Sequence, residues 1–242
     1  MALFQHDADY FIRVDGEELM TSRQHESELE LGRLGCQHLR QHPQPRILIG
    51  GLGMGYTLRA VLETVGPRAE IIVAELLDDV VGWNKSYFAE LNGDAVEDPR
   101  VTVLCADVVD LIAAADGEFD AILLDVDNGP DDKTDEGNRR LYTRNGLTKI
   151  VTALKEKGCL SVWSIEPSKA YEQRVMSAGL NVRRYRAAAY AGSKSLSRYI
   201  WVASRWKGSL PQGGGEPRVK RGARKQEVSR GRGRGYPRRK KF

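Results

Sequence analysis

The chain alternates short apolar runs with segments whose apolar residues recur at helical spacing. The runs predict buried strands, and they are RILIG, EIIVAEL, RVTVLCAD, FDAILLDV and CLSVWS, which begin at residues 46, 70, 100, 119 and 159. Helical spacing follows at residues 78–91, 108–115, 144–158 and 169–179, and Gly158 is the expected C-cap of the third of these helices. This alternation is typical of a mostly parallel sheet with helices on both faces.

The two ends of this pattern differ from its centre. Residues 10–22 alternate on both sides of Asp15-Gly16, which predicts a β hairpin, and residues 27–39 have helical spacing. Near the other end, residues 180–190 and 197–204 have no helical segment between them, so we expect an antiparallel strand pair. A parallel sheet that ends in such a pair resembles the class I S-adenosylmethionine-dependent transferases. We therefore predict an α/β, Rossmann-like fold, preceded by a small N-terminal β hairpin.

Charge is divided unevenly along the 242 residues. Residues 205–242 hold 14 Lys and Arg but only two acidic residues, whereas the rest of the chain is acidic. The sequence thus suggests three parts: a hairpin and helix at 1–42, a transferase domain at 43–204, and a basic tail at 205–242. The tail has almost no apolar residues and interleaves Arg with Gly, so we expect it to be disordered. Such a segment suits nonspecific contact with RNA phosphates.

Cysteine and histidine usage narrows the class of protein further. Three cysteines without a CxxC pair argue against a disulfide framework, and no zinc-ligand spacing occurs, so no metal site is expected. The first ten residues lack the basic start and apolar core of a signal peptide, and no apolar run is long enough to cross a bilayer. We expect a cytoplasmic protein of a reducing compartment.

A glycine-rich turn follows the first strand of the parallel sheet. The stretch GGLGMG places Gly50, Gly51, Gly53 and Gly55 between RILIG and a helical segment. Glycines at this position let the main chain approach a ligand without Cβ collisions, and ligands of such sheets bind at the carboxyl ends of the strands. A turn of this kind can also serve only to pack helix on strand. The four glycines are candidate cofactor-binding residues.

Acidic residues end the next three strands. Glu75 ends the second strand, Asp107 the third and Asp125 the fourth. An acid after a strand is as often a helix N-cap as a ligand contact. Acids at three successive strand ends beside a glycine turn favour nucleoside binding, with Glu75 accepting from the ribose hydroxyls and Asp107 from the adenine amine.

The form of the turn indicates which nucleoside is bound. From Gly51 the chain reads GLGMGY, with Tyr56 where the dinucleotide motif has its third glycine, and no P-loop motif occurs. Carboxylates around the pocket would repel a pyrophosphate and attract a sulfonium cation. S-adenosylmethionine, or its decarboxylated form, is the expected cofactor, and NAD and ATP are disfavoured.

The order of these segments resembles spermidine synthase and the polyamine aminopropyltransferase family. The resemblance runs from about residue 10 to 204 and includes VDGEELMTSRQHESELE, ILIGGLGMG, VAELLDDVV, VTVLCADVVDLI and FDAILLDVDNGP. It implies that Glu75 holds the ribose, Asp107 the adenine amine and Asp125 the amine nucleophile. It also makes homodimerisation one expectation.

Three departures from the family bear on the reaction. Spermidine synthases read GGGDGG in the turn, and their acid holds the donor ammonium, whereas this chain has Leu52, Gly53 and Met54 there. The family's D-S-S-D-P-type loop is here DVDNGP, and its Tyr-Gln pair aligns near Glu28 and Leu29. These departures favour methyl transfer to a nitrogen nucleophile as the main hypothesis. Aminopropyl transfer is the alternative, and a non-catalytic RNA-binding protein on a transferase scaffold is the third.

The chemistry requires few catalytic groups. A sulfonium donor is already activated, so in-line displacement depends mainly on alignment and on the acceptor amine being unprotonated. Asp125 is the first candidate to take that proton and Asp127 the second, although Asp127 is about as well explained as a turn-forming residue. Trp163 and Ser164 could flank an acceptor, and Tyr142 could line the pocket.

The acceptor itself is left open by the sequence. A small-molecule amine and an RNA-associated amine both fit the predicted site. An acidic loop lies over the same edge of the sheet and could attract a cationic acceptor, although a solvated lid explains it better; its residues are Asp131, Asp132, Asp135 and Glu136.

Overall fold

A computed structural model describes residues 1–131 and 136–216 of the chain. The strands are β1 (Ala2–His6), β2 (Asp9–Val14), β3 (Glu17–Thr21), β4 (Arg46–Gly50), β5 (Glu70–Glu75), β6 (Val101–Cys105), β7 (Phe119–Leu124), β8 (Leu154–Ser164), β9 (Asn181–Ala187) and β10 (Arg198–Ser204). The helices are α1 (Glu26–Cys36), α2 (Tyr56–Thr64), α3 (Asp78–Ser86), α4 (Ala89–Asn92), α5 (Val108–Ala114), α6 (Glu136–Tyr142), α7 (Arg144–Ala153) and α8 (Lys169–Ser177).

Seven strands form the central sheet, in the order β6-β5-β4-β7-β8-β10-β9. The first five of these pair in parallel, and β10 pairs antiparallel with both β8 and β9. The strand order reverses between β4 and β7, which leaves a crevice at the carboxyl ends of these strands. The predicted parallel sheet with a terminal antiparallel pair is confirmed.

Apolar side chains fill both faces of this sheet. On one face α1 and α2 contribute Leu31, Leu34, Leu58 and Val61, which pack on Ile47, Ile49 and Leu123. On the other face α5, α7 and α8 cover Leu48, Ile122 and Val162. Because both faces are covered, the central strands are near-continuous apolar runs, which is why their pattern was legible in the sequence.

A second sheet precedes the central one. The predicted hairpin forms between β2 and β3, and Asp15 (φ 51°) and Gly16 (φ 87°) both adopt the left-handed conformation of a type I′ turn. The sequence did not predict β1, which pairs antiparallel with β2 and makes this a three-stranded sheet. Ile12 and Leu29 pack together with Tyr56 and join the small sheet to the central domain.

The longest predicted helix is shorter in the structure. Residues 144–158 were expected to be helical to a C-cap at Gly158, but α7 ends at Ala153 and β8 begins at once with Leu154. Leu154 is buried and pairs with Phe119, whereas Cys159 pairs with Ala121, so residues 155–158 bulge out of the ladder. Because their charged side chains stay near solvent there, these residues lack the pattern of a strand.

Two further segments differ from the sequence prediction. Residues 78–91 form two helices, α3 and α4, because the chain turns at Tyr87 and buries Phe88 completely. The segment before α7, for which the sequence analysis predicted no helix, contains α6. The predicted acidic loop lies partly at 132–135, outside the described residues.

The segment after β10 continues along the central domain. Residues 205–216, assigned above to the tail, include a 3₁₀ turn at Lys207–Ser209 and the buried Leu210, and Gly215 exchanges two backbone hydrogen bonds with Arg184 of β9. The rest of the predicted tail, 217–242, lies outside the described residues. Among the described residues, no helix has the length and apolar character needed to cross a bilayer.

Candidate active site

One cavity occupies the crevice where the strand order reverses. Of the predicted site residues, Gly51, Gly53, Glu75, Asp107 and Asp125 line it. Its apolar walls come from the N-terminal segment and from the connection after β5, and they include Met1, Ile12, Leu19, Met20, Leu76, Leu77 and Val80. The structure therefore brings together the glycine turn and the three acids of successive strand ends.

Each glycine of the turn lies close to neighbouring protein atoms. A Cβ on Gly51 would collide with the Asp125 carbonyl oxygen, and one on Gly53 would lie 2.9 Å from Met20 Cε; both residues have positive φ. A Cβ on Gly50 would lie 2.9 Å from Val108 Cγ2, and one on Gly55 would lie 2.6 Å from Asn92 Nδ2. Gly51 and Gly53 also line the cavity, whereas Gly50 and Gly55 are not among its lining residues. Of the four predicted cofactor-binding glycines, two therefore line the cavity and two only pack against other residues.

Glu75 ties the glycine turn to the end of β5. It is 9% exposed, and its Oε2 accepts from the Leu52 amide at 2.9 Å while Oε1 accepts from the Leu77 amide at 3.0 Å. These two bonds fix the carboxylate at the cavity wall. Each oxygen keeps a second lone pair, which a ribose hydroxyl could use.

Asp107 has two protein partners. Its Oδ1 caps α5 by accepting from the Val109 amide at 2.8 Å, and its Oδ2 pairs with Arg140 of α6 at 2.6 Å. The helix-cap interpretation weighed in the sequence analysis therefore holds, and it coexists with a position on the cavity wall. A nucleobase amine would therefore donate to the remaining lone pairs of a carboxylate that is already hydrogen-bonded to the protein.

Asp125 lies directly after β7 at the base of the cavity. Its Oδ2 accepts from the Thr57 hydroxyl at 2.7 Å. Burial raises the pKa of Asp125 to about 6, the Thr57 hydrogen bond opposes this rise, and the nearby Asp127 adds to it. A carboxylate with this pKa can accept a proton from an amine near neutral pH.

Glu28 of α1 is absent from the cavity lining but lies close enough to Asp125 for the two charges to interact, and the sequence reasoning did not select it as a site residue. Burial and then the charge of Asp125 raise the pKa of Glu28 to about 8, while the Ser27 hydroxyl, 2.6 Å from Oε2, opposes the rise. Its spacing offered a signal, because Glu28 stands three and seven residues before the buried Leu31 and Gly35 on the same helix face.

Asp127 serves the loop rather than the cavity. Its Oδ1 accepts from the Gly129 amide at 2.7 Å, as in an Asx turn, and from the Tyr142 hydroxyl at 2.8 Å. Asp127 and Tyr142 are absent from the cavity lining. The charge of Asp127 still contributes to the pKa of Asp125.

Ser164 and Trp163 end β8 beside this loop. Ser164 is buried, and its hydroxyl hydrogen-bonds to the carbonyl oxygens of Asn128 and Glu166, so it holds the loop in place. Trp163 is partly exposed and faces Arg198, whose Cζ lies 5.9 Å from the ring centroid.

Solved structures similar to this one share its fold. Spermidine synthase from Thermotoga maritima has a TM-score of 0.61 at 19% identity, over 87% of this chain and 75% of that one. Human methyltransferase-like protein 13 has a TM-score of 0.53 at 20% identity, over 76% of this chain and 82% of that one. Both similarities show the class I S-adenosylmethionine-dependent transferase fold.

Curated relatives are similar in sequence over about half of the chain. A polyamine aminopropyltransferase from Pyrobaculum calidifontis is 33% identical over 122 residues, which are 48% of this chain and 40% of the relative. One from Saccharolobus solfataricus is 29% identical over 130 residues, which are 54% of this chain and 42% of the relative. The chain thus spans about two fifths of the length of these relatives.

A family model decides the membership. The model described as the spermine/spermidine synthase domain matches residues 35–191, which include the glycine turn, Glu75, Asp107 and Asp125. The matches to this domain and to the curated relatives favour the aminopropyltransferase alternative over the methyl transfer that the glycine turn had suggested. The chain belongs to the spermine/spermidine synthase domain family.

Proposed function

We propose that this protein transfers an aminopropyl group from decarboxylated S-adenosylmethionine to an amine nitrogen. The observation that carries the proposal is the single cavity in which the glycine turn meets Glu75, Asp107 and Asp125. The family match and the names of the curated relatives support aminopropyl transfer in particular.

The cavity suits an adenosyl donor in both shape and charge. Leu76 and Leu77, both well exposed, and Val80 offer apolar surface for an adenine ring, and Glu75 offers acceptor oxygens to ribose hydroxyls. Gly51 and Gly53 keep the floor free of side chains. The carboxylates around this floor favour a cationic sulfonium over an anionic nucleotide.

The proposed reaction is a single displacement. The lone pair of the acceptor nitrogen forms a bond to the aminopropyl carbon attached to sulfur, and the carbon–sulfur bond breaks. Its electron pair stays on sulfur, which leaves as the neutral thioether 5′-methylthioadenosine. The nitrogen loses one proton, and Asp125 is the group placed to accept it.

One observation favours methyl transfer as a second candidate. Aligning GGLGMG with the GGGDGG of spermidine synthases puts Gly53 at the acidic position, and the space a side chain would take there is filled by the Met20 thioether. Leu52 and Met54 are both buried, so neither replaces that acid at the cavity surface. A donor that keeps its carboxylate would meet no repulsion at this point.

The two candidates release different thioethers. We would incubate the purified chain with an amine acceptor and either decarboxylated S-adenosylmethionine or S-adenosylmethionine, and identify the products by mass spectrometry. The proposal expects 5′-methylthioadenosine and an acceptor heavier by one aminopropyl group. Turnover of S-adenosylmethionine alone, with S-adenosylhomocysteine and a methylated acceptor as products, would replace it with the second candidate.

A further inference from the structure

Arg198 of β10 lies two strands away from Asp125, outside the lining of the cavity described above. In the sheet register Leu124 pairs with Val162, and Trp163 pairs with Ile200, so Asp125, Trp163 and Ile200 are nearly level across three adjacent strands. Arg198 is two residues from Ile200 and therefore points to the same face, toward the carboxyl edge of β7 and β8.

Contacts on this face agree with that placement. Asp125 bonds to Thr57 of α2, the helix that covers this face, and the Arg198 guanidinium lies over the Trp163 ring. The pKa of Glu28 responds to both groups, since Asp125 raises it and Arg198 lowers it. Glu28 of α1 is thus near enough to both groups for their charges to act on it.

Arg198 is held in place by neutral groups. Its Nη2 donates to Gln24 Oε1 at 2.9 Å and its Nη1 to Ser197 Oγ at 3.2 Å, while Trp163 supports one face. Among the side chains of residues 1–131 and 137–216, no carboxylate oxygen lies within 4.0 Å of this guanidinium. Two of its five N–H donors make these hydrogen bonds, and the other three remain available to a ligand.

The separation of Asp125 and Arg198 sets the size of what could join them. Adjacent strands lie about 4.8 Å apart, so two strand spacings separate their columns by roughly 10 Å, and Arg198 lies about 7 Å further along the strand direction. The long arginine side chain shortens this gap. A small acceptor with its amine at Asp125 and a second group several bonds away could span it. An ammonium as the second group would be repelled by the guanidinium, whereas a carboxylate would be bound by its planar fork.

We propose that Arg198 is a specificity-determining residue which binds a carboxylate on the acceptor, so that the acceptor is an amine of the amino-acid type rather than a plain diamine. The proposal rests on the proposed function in placing the reacting amine at Asp125.

Two pairs of acceptors that differ only by a carboxylate test it. These are 1,4-diaminobutane with 2,5-diaminopentanoate, and 1,5-diaminopentane with 2,6-diaminohexanoate, each compared by kcat/KM with decarboxylated S-adenosylmethionine. Wild-type protein is expected to prefer the carboxylated member of a pair by roughly tenfold or more. Arg198→Gln should abolish this preference through a higher KM, and Arg198→Lys should keep part of it.

Arg186 provides a matched control. It also lies over an aromatic ring at this sheet edge, that of Tyr199, but its guanidinium is bound to the Leu196 carbonyl oxygen. Arg186→Gln should therefore leave the acceptor preference unchanged. Equal or better use of the plain diamines by wild type, or a preference that persists in Arg198→Gln, would overturn the proposal.

A failure of the proposed function would be recognised separately. If no acceptor is consumed with either donor, calorimetric titration of the same compounds into protein saturated with 5′-methylthioadenosine still measures acceptor recognition. Tighter binding of the carboxylated member, lost in Arg198→Gln, would support the role of Arg198. Equal binding of both members would refute it.

Discussion

At the scale of single residues, two carboxyl groups, those of Asp125 and Glu28, lie close enough for the charge of one to raise the pKa of the other. Asp125 is held by Thr57 at the base of the cavity, and Glu28 approaches from α1 with Ser27 as its partner. Asp125 could be predicted because it ends an apolar strand, where parallel sheets place functional groups. Glu28 could not be selected in the same way, because what brings it to the site is the packing of α1 on the sheet.

Asp125→Asn tests the proposed proton acceptor. The variant should lower kcat by about 10²- to 10⁴-fold while 5′-methylthioadenosine binds within a few-fold of wild type, because only the proton transfer is lost. Since burial raises the pKa of Asp125 to about 6, wild-type kcat should rise with pH below about 6 and level off above it. The measurement is kcat between roughly pH 5 and pH 9, a range that includes this titration.

The exposed Asp110 of α5 provides the control for this prediction. Asp110→Asn should leave both the rate and the pH profile as in wild type. An Asp125→Asn protein with a near wild-type rate would show that the proton leaves by another route.

Glu28→Gln tests the partly buried acid of α1 through stability. The carboxyl of Glu28 has a pKa of about 8 in the folded chain and an ordinary value of 4.5, so between these values the unfolded chain releases a proton that the folded chain retains. Rising pH therefore favours unfolding, and wild type loses stability from about pH 4.5 to 8. The variant lacks this loss, and its Tm should gain on wild type across that range.

Thermal denaturation at intervals of pH measures the effect. Glu63→Gln is the matched control, because Glu63 is exposed on α2 and pairs with Arg59 at 2.9 Å. Melting curves of Glu28→Gln that run parallel to wild type at every pH would mean that Glu28 is ionised in the folded protein.

At the scale of elements, the strands were easier to predict than their surroundings. The runs of β4, β5, β6 and β7 are apolar because helices cover both faces, and their acidic ends follow from the same topology. The bulge at 155–158 has no comparable pattern, since its charged residues leave the ladder. Nor did the sequence show that the apolar N-terminal strands would form a wall of the cavity.

The support of the glycine turn is also an element-scale feature. Asn84 of α3 and Asn92 of α4 are each 1% exposed, and their amides donate to the Gly53 and Met54 carbonyl oxygens at 2.8 and 3.2 Å. Asn92 also donates to Asn84 Oδ1 at 2.9 Å. These two side chains fix the turn from below the cavity.

Asn92→Leu should destabilise the protein by about 1–3 kcal/mol, because it leaves buried acceptors unpaired. It should also weaken 5′-methylthioadenosine binding, since the turn forms the cavity floor. Chemical denaturation and calorimetry measure the two effects. Ile150→Ala on α7, in the opposite core, should lower stability without lowering affinity; equal losses of affinity in both variants would make the role of Asn92 merely structural.

At the scale of the whole molecule, the net positive charge lies in a segment separate from the residues of the site, which belong to an acidic part of the chain. The basic residues of 217–242 belong to a segment whose RNA contact remains a prediction from sequence, as does homodimerisation. The described chain after β10 runs along β9, where Gly215 pairs with Arg184. The last described residues therefore lie at the edge of the sheet formed by β9.

Removing residues 217–242 should separate RNA contact from catalysis. The shortened chain should bind a single-stranded RNA oligonucleotide at least about tenfold more weakly at low salt, since the residues that remain, 1–216, hold more acidic than basic residues. Its affinity for 5′-methylthioadenosine should be unchanged, and Asp125→Asn should bind the oligonucleotide as wild type does. Fluorescence anisotropy of the oligonucleotide measures the RNA affinity of both variants. Undiminished RNA affinity after deletion would mean that other residues contact the RNA.

The proposed function requires that the donor binds in the cavity between β4 and β7. A crystal of the protein grown with 5′-methylthioadenosine tests this directly. We expect the nucleoside in that cavity, with its ribose hydroxyls on Glu75 and its sulfur directed toward Asp125. Density for the nucleoside at another site, or an empty cavity at saturating ligand, would contradict the proposed donor site.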